Sequence, residues 1–235
     1  MRRLLVLAVT LVGLVLASGA QAKDAKKGKK EDTGIILTGV SSFDKVFTRV
    51  DNIDGRLTKS EKQVRTSRTN LNTALGVKRN APVSTALTQL RNQAEGKVRL
   101  AVDDKAMPKL ELTDAVPPNV QKAVDALNAM TANYSTTLTE LTGLKPEIEK
   151  LVQSTRKMPA NLKNEFSKDN AGLLDQVFKL PKTAKALKQD ITVTKGLTGR
   201  TTALTKECTT VLGLVKNEFA PSGRGGHANG GGARR

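Results

Sequence analysis

From residue 43 onward, apolar residues recur three or four positions apart over long stretches, the spacing that lines one side of a helix. Phe43, Val46, Phe47, Val50, Ile53, Leu57, Val64 and Leu71 follow one such stripe. In heptad terms Val50, Leu57, Val64 and Leu71 take one seam position, and Ile53, Ser60, Ser67 and Ala74 take the other. Small residues at the second position would let a partner helix come close. Ser41-x-x-Asp44 has the form of a capping box at the start of this stripe, and Gly76 suits a left-handed stop at its end. The pattern predicts a helix over 41–76, roughly 50 Å long.

Pro82 fits the first turn of a shorter helix reaching Ala94 and stopped by Gly96. A third helix is expected from Asn119, after Pro117-Pro118, carrying Val120, Val124, Leu127, Tyr134, Leu138 and Leu141, with Gly143 closing it. Pro146, Pro159 and Pro181 each precede a further helical pattern, and each either starts a helix or kinks one. The last helix should run from Pro181 to Phe219 on Leu187, Ile191, Thr194, Leu197, Thr201, Leu204, Cys208, Val211 and Val215, with Gly196 and Gly199 weakening its middle.

One stretch departs from this period. In "KVRLAVDDKAMPKLEL", Val98, Leu100 and Val102 alternate with Arg99 and Ala101, and Leu110 and Leu112 repeat the alternation. The expectation is a hairpin pairing Val102 with Leu110 and Leu100 with Leu112, its apolar face on the helices. The fold class that follows is mainly all-α: an elongated antiparallel bundle of four to six helices with one small β-hairpin near residues 97–113.

The ends read differently. Arg2 and Arg3, the apolar run Leu4–Ala17 and the small-x-small triplet Ala20-Gln21-Ala22 have the three-part order of a secretory signal peptide cleaved after Ala22. The run is short for a membrane span, which needs about 20 apolar residues. Lys23 after the cleavage point excludes the lipoprotein route. The organisation expected is a signal peptide at 1–22, a flexible basic linker at 23–38, a helical domain at 39–220 and a disordered glycine-rich tail at 221–235. The protein is thus expected to be exported, periplasmic or secreted, and not membrane-spanning after cleavage.

Charge then narrows the partners. The whole chain carries +17. Loss of the leader leaves 37 basic against 22 acidic residues, and residues 33–220 alone hold 29 against 19. The basicity therefore belongs to the folded part, and it favours an anionic envelope component or an acidic protein. Nucleic acid is a poor fit, because no Trp, one Tyr and five Phe leave few platforms for stacking bases. Between Arg56 and Arg79 seven basic residues face Glu61 alone. Arg56, Lys59, Lys62, Arg65 and Arg68 are the candidate residues there, with Lys182 and Lys185 in a second concentration that runs from Lys179 to Lys188. A solvated surface would have the same composition.

The chemistry of a reactive site is sparse. His227 is the lone histidine and sits in the glycine-rich tail. With one His and the single Cys208, no zinc site of the usual ligands can be built within one chain. Cys208 falls on the apolar stripe between Leu204 and Val211, where a buried core thiol is expected and an intramolecular disulfide is excluded. Asp103-Asp104 in the hairpin turn are adjacent solvated acids with nothing to split their pKa values. The expectation is a non-enzymatic binding or scaffold module without cofactor or metal. A periplasmic holdase-type chaperone is the alternative, and it would need the seams Val50–Leu71 and Leu187–Val215 to be uncovered. Small seam residues would also suit a homo-oligomer.

Overall fold

The computed structural model describes residues 34–102, 107–170 and 172–220. The predicted signal peptide with Ala20 and Ala22, the linker up to residue 33, Asp103-Asp104 and the tail with His227 lie outside them. Five helices and one hairpin follow in order: α1 (Ser41–Ala74), α2 (Val83–Ala94), β1 (Val98–Val102), β2 (Pro108–Leu112), α3 (Pro118–Asp169), α4 (Leu173–Phe178) and α5 (Leu180–Phe219).

At 1.5 Å per residue α1, α3 and α5 are about 51, 78 and 60 Å long. Their directions are fixed by contacts between their ends and middles. The Ser41 N–H at the start of α1 donates to Asp169 at the end of α3, and Arg49 meets Glu147 further along, so α1 and α3 are antiparallel. Thr183 donates to the Thr38 carbonyl and Arg68 pairs with Glu207, so α1 and α5 run parallel. The core is the stripe that the period predicts. Val50, Ile53, Leu57, Val64 and Leu71 of α1 are buried, as are Leu187, Leu197, Leu204, Cys208, Val211 and Val215 of α5. Ser60 and Ser67 are buried at the small-residue seam, where they bond Glu140 and Asn133 of α3.

Four local expectations change. Ser41 is not a cap: α1 starts after Val40 without a side-chain cap, and Asp44 instead accepts the Thr38 and Gly39 N–H groups of the incoming chain. Gly143 does not close α3, which continues to Asp169 with Pro146 and Pro159 inside it. Both prolines face solvent and Gly143 lacks the positive φ of a stop, whereas the flanking Leu141, Leu144, Ile148 and Leu151 keep one buried face. Burial of that continuous face outweighs the lost hydrogen bond at each proline. Pro181, by contrast, sits in the first turn of α5.

The hairpin register also differs. Val98 pairs with Leu112, Leu100 with Leu110 and Val102 with Pro108. This is a slip of two residues from the expected pairing, so the same side chains stay on the same face. The observed pairing sets Arg99 opposite Glu111, an ion pair at 2.9 Å that the expected register would break, and Asn128 fixes β2 to α3, accepting the Leu110 N–H and donating to its carbonyl at 2.8 and 2.9 Å. Finally, the expected linker ends in held chain. Gly34, Ile36 and Thr38 bond to Gln189, Asp190 and Thr183, so residues 34–38 lie along α5.

The end of α1 matches its prediction in detail. Gly76 has φ +69°, its N–H donates to the Thr73 carbonyl, and the Val77 N–H reaches back to Asn72, the paired bonds of a Schellman stop. An added Cβ at Gly76 or at Gly143 would meet nothing within 4 Å. Conformation alone therefore separates the two positions. Gly76→Ala should lower unfolding stability by about 1–2 kcal/mol, and Gly143→Ala should raise it by about 0.5–1 kcal/mol. Denaturant unfolding of both variants checks the opposite signs.

Candidate functional site

The basic candidates on α1 divide into two groups. Arg56 reaches across to Glu140 of α3 at 3.0 Å, and Arg68 to Glu207 of α5 at 3.6 Å. These two guanidiniums are spent on holding the bundle. Lys59, Lys62 and Arg65 are exposed and pair with no described carboxylate. They lie one turn or less apart on the side away from the buried seams, a short cationic row on a rigid rod.

Behind that row sits an arginine that the sequence reading did not single out. Arg200 of α5 donates to Asp54, Thr58 and Glu61, on successive turns of α1. Glu61, the one acid within the basic run, is thereby neutralised from behind, and these contacts hold the Arg200 guanidinium above its ordinary pKa. Its signal in the sequence was faint: one basic residue, flanked by Gly199, on an otherwise threonine-rich stretch.

Lys182 and Lys185 are exposed, but the structure does not bring them to the α1 row. Arg200 marks the level of Asp54–Glu61 on α5, and the two lysines precede it by 18 and 15 positions. That is about 27 and 22 Å along the helix axis. They belong instead to the end of the bundle where α5 begins. A third basic concentration went unread in the sequence. Arg49, Lys150, Arg156 and Lys157 line an open recess of about 760 Å³ between α1 and α3. Lys150 and Lys157 are seven apart on α3, a helical repeat that lies between Pro146 and Pro159.

A further groove of about 570 Å³ lies between α3 and α5. Leu141 and Ile148 contribute to it from α3, and Thr198, Thr202, Thr205 and Thr209 line it from α5. These threonines recur at helical spacing beside the apolar stripe, which is the pattern that could have revealed them.

Reactive groups are deeply placed. Cys208 is fully buried and its thiol is pushed up to about 12 by burial, with Glu207 adding to the effect, so it stays protonated and a poor nucleophile at neutral pH. Burial likewise raises the Tyr134 hydroxyl above its ordinary range. Among the described residues no cluster of three or more His, Cys, Asp or Glu could hold a metal ion. No family model, curated protein or solved structure matches this chain.

Asp190 is the buried carboxylate that ties the incoming segment to α5. Its Oδ1 accepts the Ile36 N–H at 2.9 Å, and its Oδ2 has no partner. Burial, with a smaller push from Asp44, outweighs the Ile36 hydrogen bond and raises it to about 6. A carboxyl raised on folding binds its proton more tightly in the native state, so it favours the fold at low pH and loses that contribution as pH rises toward the folded value. Stability from this group should fall between roughly pH 4 and 6. The gap between Asp190→Asn and the parent chain should therefore widen in favour of the variant across that window. Parallel pH–stability curves would exclude the linkage.

Proposed function

We propose that the chain is an exported, non-enzymatic helical-bundle protein of the cell envelope, acting as a binding or scaffold module through a basic helical surface. The observation that carries this reading is the row Lys59, Lys62 and Arg65. These cations are exposed and unneutralised on a helix whose other arginines are consumed in pairing. Export is supported by the leader pattern of residues 2–22. No described helix is long and apolar enough to cross a membrane. The partner class that suits such a row is an anionic envelope component or an acidic protein.

The holdase alternative required uncovered apolar seams. Val50, Leu57, Val64 and Leu71 are buried, as are Leu187, Leu197, Leu204 and Val215, so a client chain would have to bind elsewhere on the surface.

The test is capture from envelope extract by the parent chain and by the triple variant K59E/K62E/R65E, at low and at high salt. Capture should weaken as salt screens the contact, and the triple variant should lose at least tenfold at low salt. Capture that resists salt and survives the triple reversal would overturn the basic-surface reading.

A further inference from the structure

The end of the bundle where α5 begins combines two kinds of exposed side chain. Among the described residues the exposed large apolar side chains are Ile36, Leu37, Val102, Val177 and Phe178. Four of these five belong to this end. Val177 and Phe178 close α4 and are 66 and 68% exposed, and Leu37, 68% exposed, lies in the segment that runs along the first turns of α5. Val102, at the hairpin tip, belongs to the opposite end, where α3 begins.

The helical hydrogen-bond pattern crosses the junction between α4 and α5. The Lys179 N–H donates to the Asp175 carbonyl at 2.9 Å and the Thr183 N–H to the Lys179 carbonyl at 3.0 Å. Positions 178, 182 and 185 therefore stand in one row, spaced by four and three residues. The row reads Phe178, Lys182, Lys185: an aromatic at the tip and two cations within the next two turns. Both lysines are exposed and unpaired with any described carboxylate. Apart from the buried Asp190, each acid of this end has a partner. Asp175 pairs with Lys179, Glu165 with Lys168, Asp169 takes the Ser41 N–H and Asp44 the Thr38 N–H. What faces outward is apolar at the tip and positive just behind it.

The exposed chemistry here is layered along the chain, Val177 and Phe178 ahead of Lys182 and Lys185. A bilayer is layered in the same order, with apolar chains beneath anionic headgroups, and long lysine stems reach from one layer into the other. We propose that the α4–α5 junction docks on an anionic phospholipid surface, Val177 and Phe178 entering the boundary of the acyl chains while Lys182 and Lys185 contact lipid phosphates. This deepens the functional proposal above, since it rests on the bundle working at an anionic envelope surface, but it assigns the contact to residues other than the α1 row.

The test is co-sedimentation of the exported chain with vesicles of phosphatidylcholine alone and of phosphatidylcholine mixed with phosphatidylglycerol. Binding should require phosphatidylglycerol. V177S/F178S and K182E/K185E should each weaken it at least tenfold, as two interfacial lysines contribute about fivefold apiece, while K78E/R79E, the same charge change on exposed residues at the opposite end, stays within about twofold. All the substituted positions are exposed, and circular dichroism checks that each variant keeps its helices. Absence of binding to the mixed vesicles, equal binding to both compositions, or junction variants that bind like the parent would each overturn the inference. Loss of vesicle binding only in K59E/K62E/R65E would move the lipid contact to α1, sinking this inference and sparing the functional proposal. Salt-resistant capture in the earlier assay would sink that proposal instead.

Discussion

Helix α3 presents one buried face to two neighbours at once, from Val120 at its start to Phe166 near its end, and α1 and α5 have no comparably extensive contact except through it. Each long helix has an apolar stripe that costs free energy in water until another helix covers it. With α1 and α5 parallel, only an antiparallel rod between them can be reached by chain connections on both sides. The short elements follow from that arrangement. Helix α2 and the hairpin fill the return path from the end of α1 to the start of α3, and α4 fills the return from α3 to α5.

Apolar stripes fix which faces meet but not how far one rod slides along the next. A handful of polar side chains supply that. Arg200 gathers three side chains of α1, and the buried Asn72 amide donates to the Lys78, Arg79 and Ala81 carbonyls of the loop before α2. Asn128 holds both backbone groups of Leu110. Sliding α5 along α1 by one turn would strip the buried Asp54 of Arg200, and shifting the loop or the strand would strip Asn72 or Leu110 of partners, a penalty of about 1–3 kcal/mol each. Register thus comes from a few directional bonds laid over a non-directional core.

That division explains what could be read in advance. The seam residues of α1 and α5, the glycine stop at Gly76 and the two strands were legible because each depends on local period or on one residue's backbone freedom. The length of α3 was not. Pro146, Pro159 and Gly143 are local signals for interruption, and they were overruled by the continuous buried face of Leu141, Leu144, Ile148 and Leu151, which only the folded neighbours make decisive. The hairpin register was missed because the apolar alternation fits both pairings, and only one of them sets Arg99 against Glu111. Among the basic candidates, composition located the run from Arg56 to Arg68 but could not tell a lysine facing water from an arginine engaged with Glu140 or Glu207.

The solvent-facing prolines give α3 a mechanical character distinct from its neighbours. Proline has no N–H to complete the helical ladder, so the rod lacks one axial bond at each of two points on its outer side. Bending stiffness drops there, while the buried side remains continuous. Load applied at one end of the bundle would concentrate the curvature of α3 at Pro146 and Pro159, so that it bends as a beam with two built-in joints.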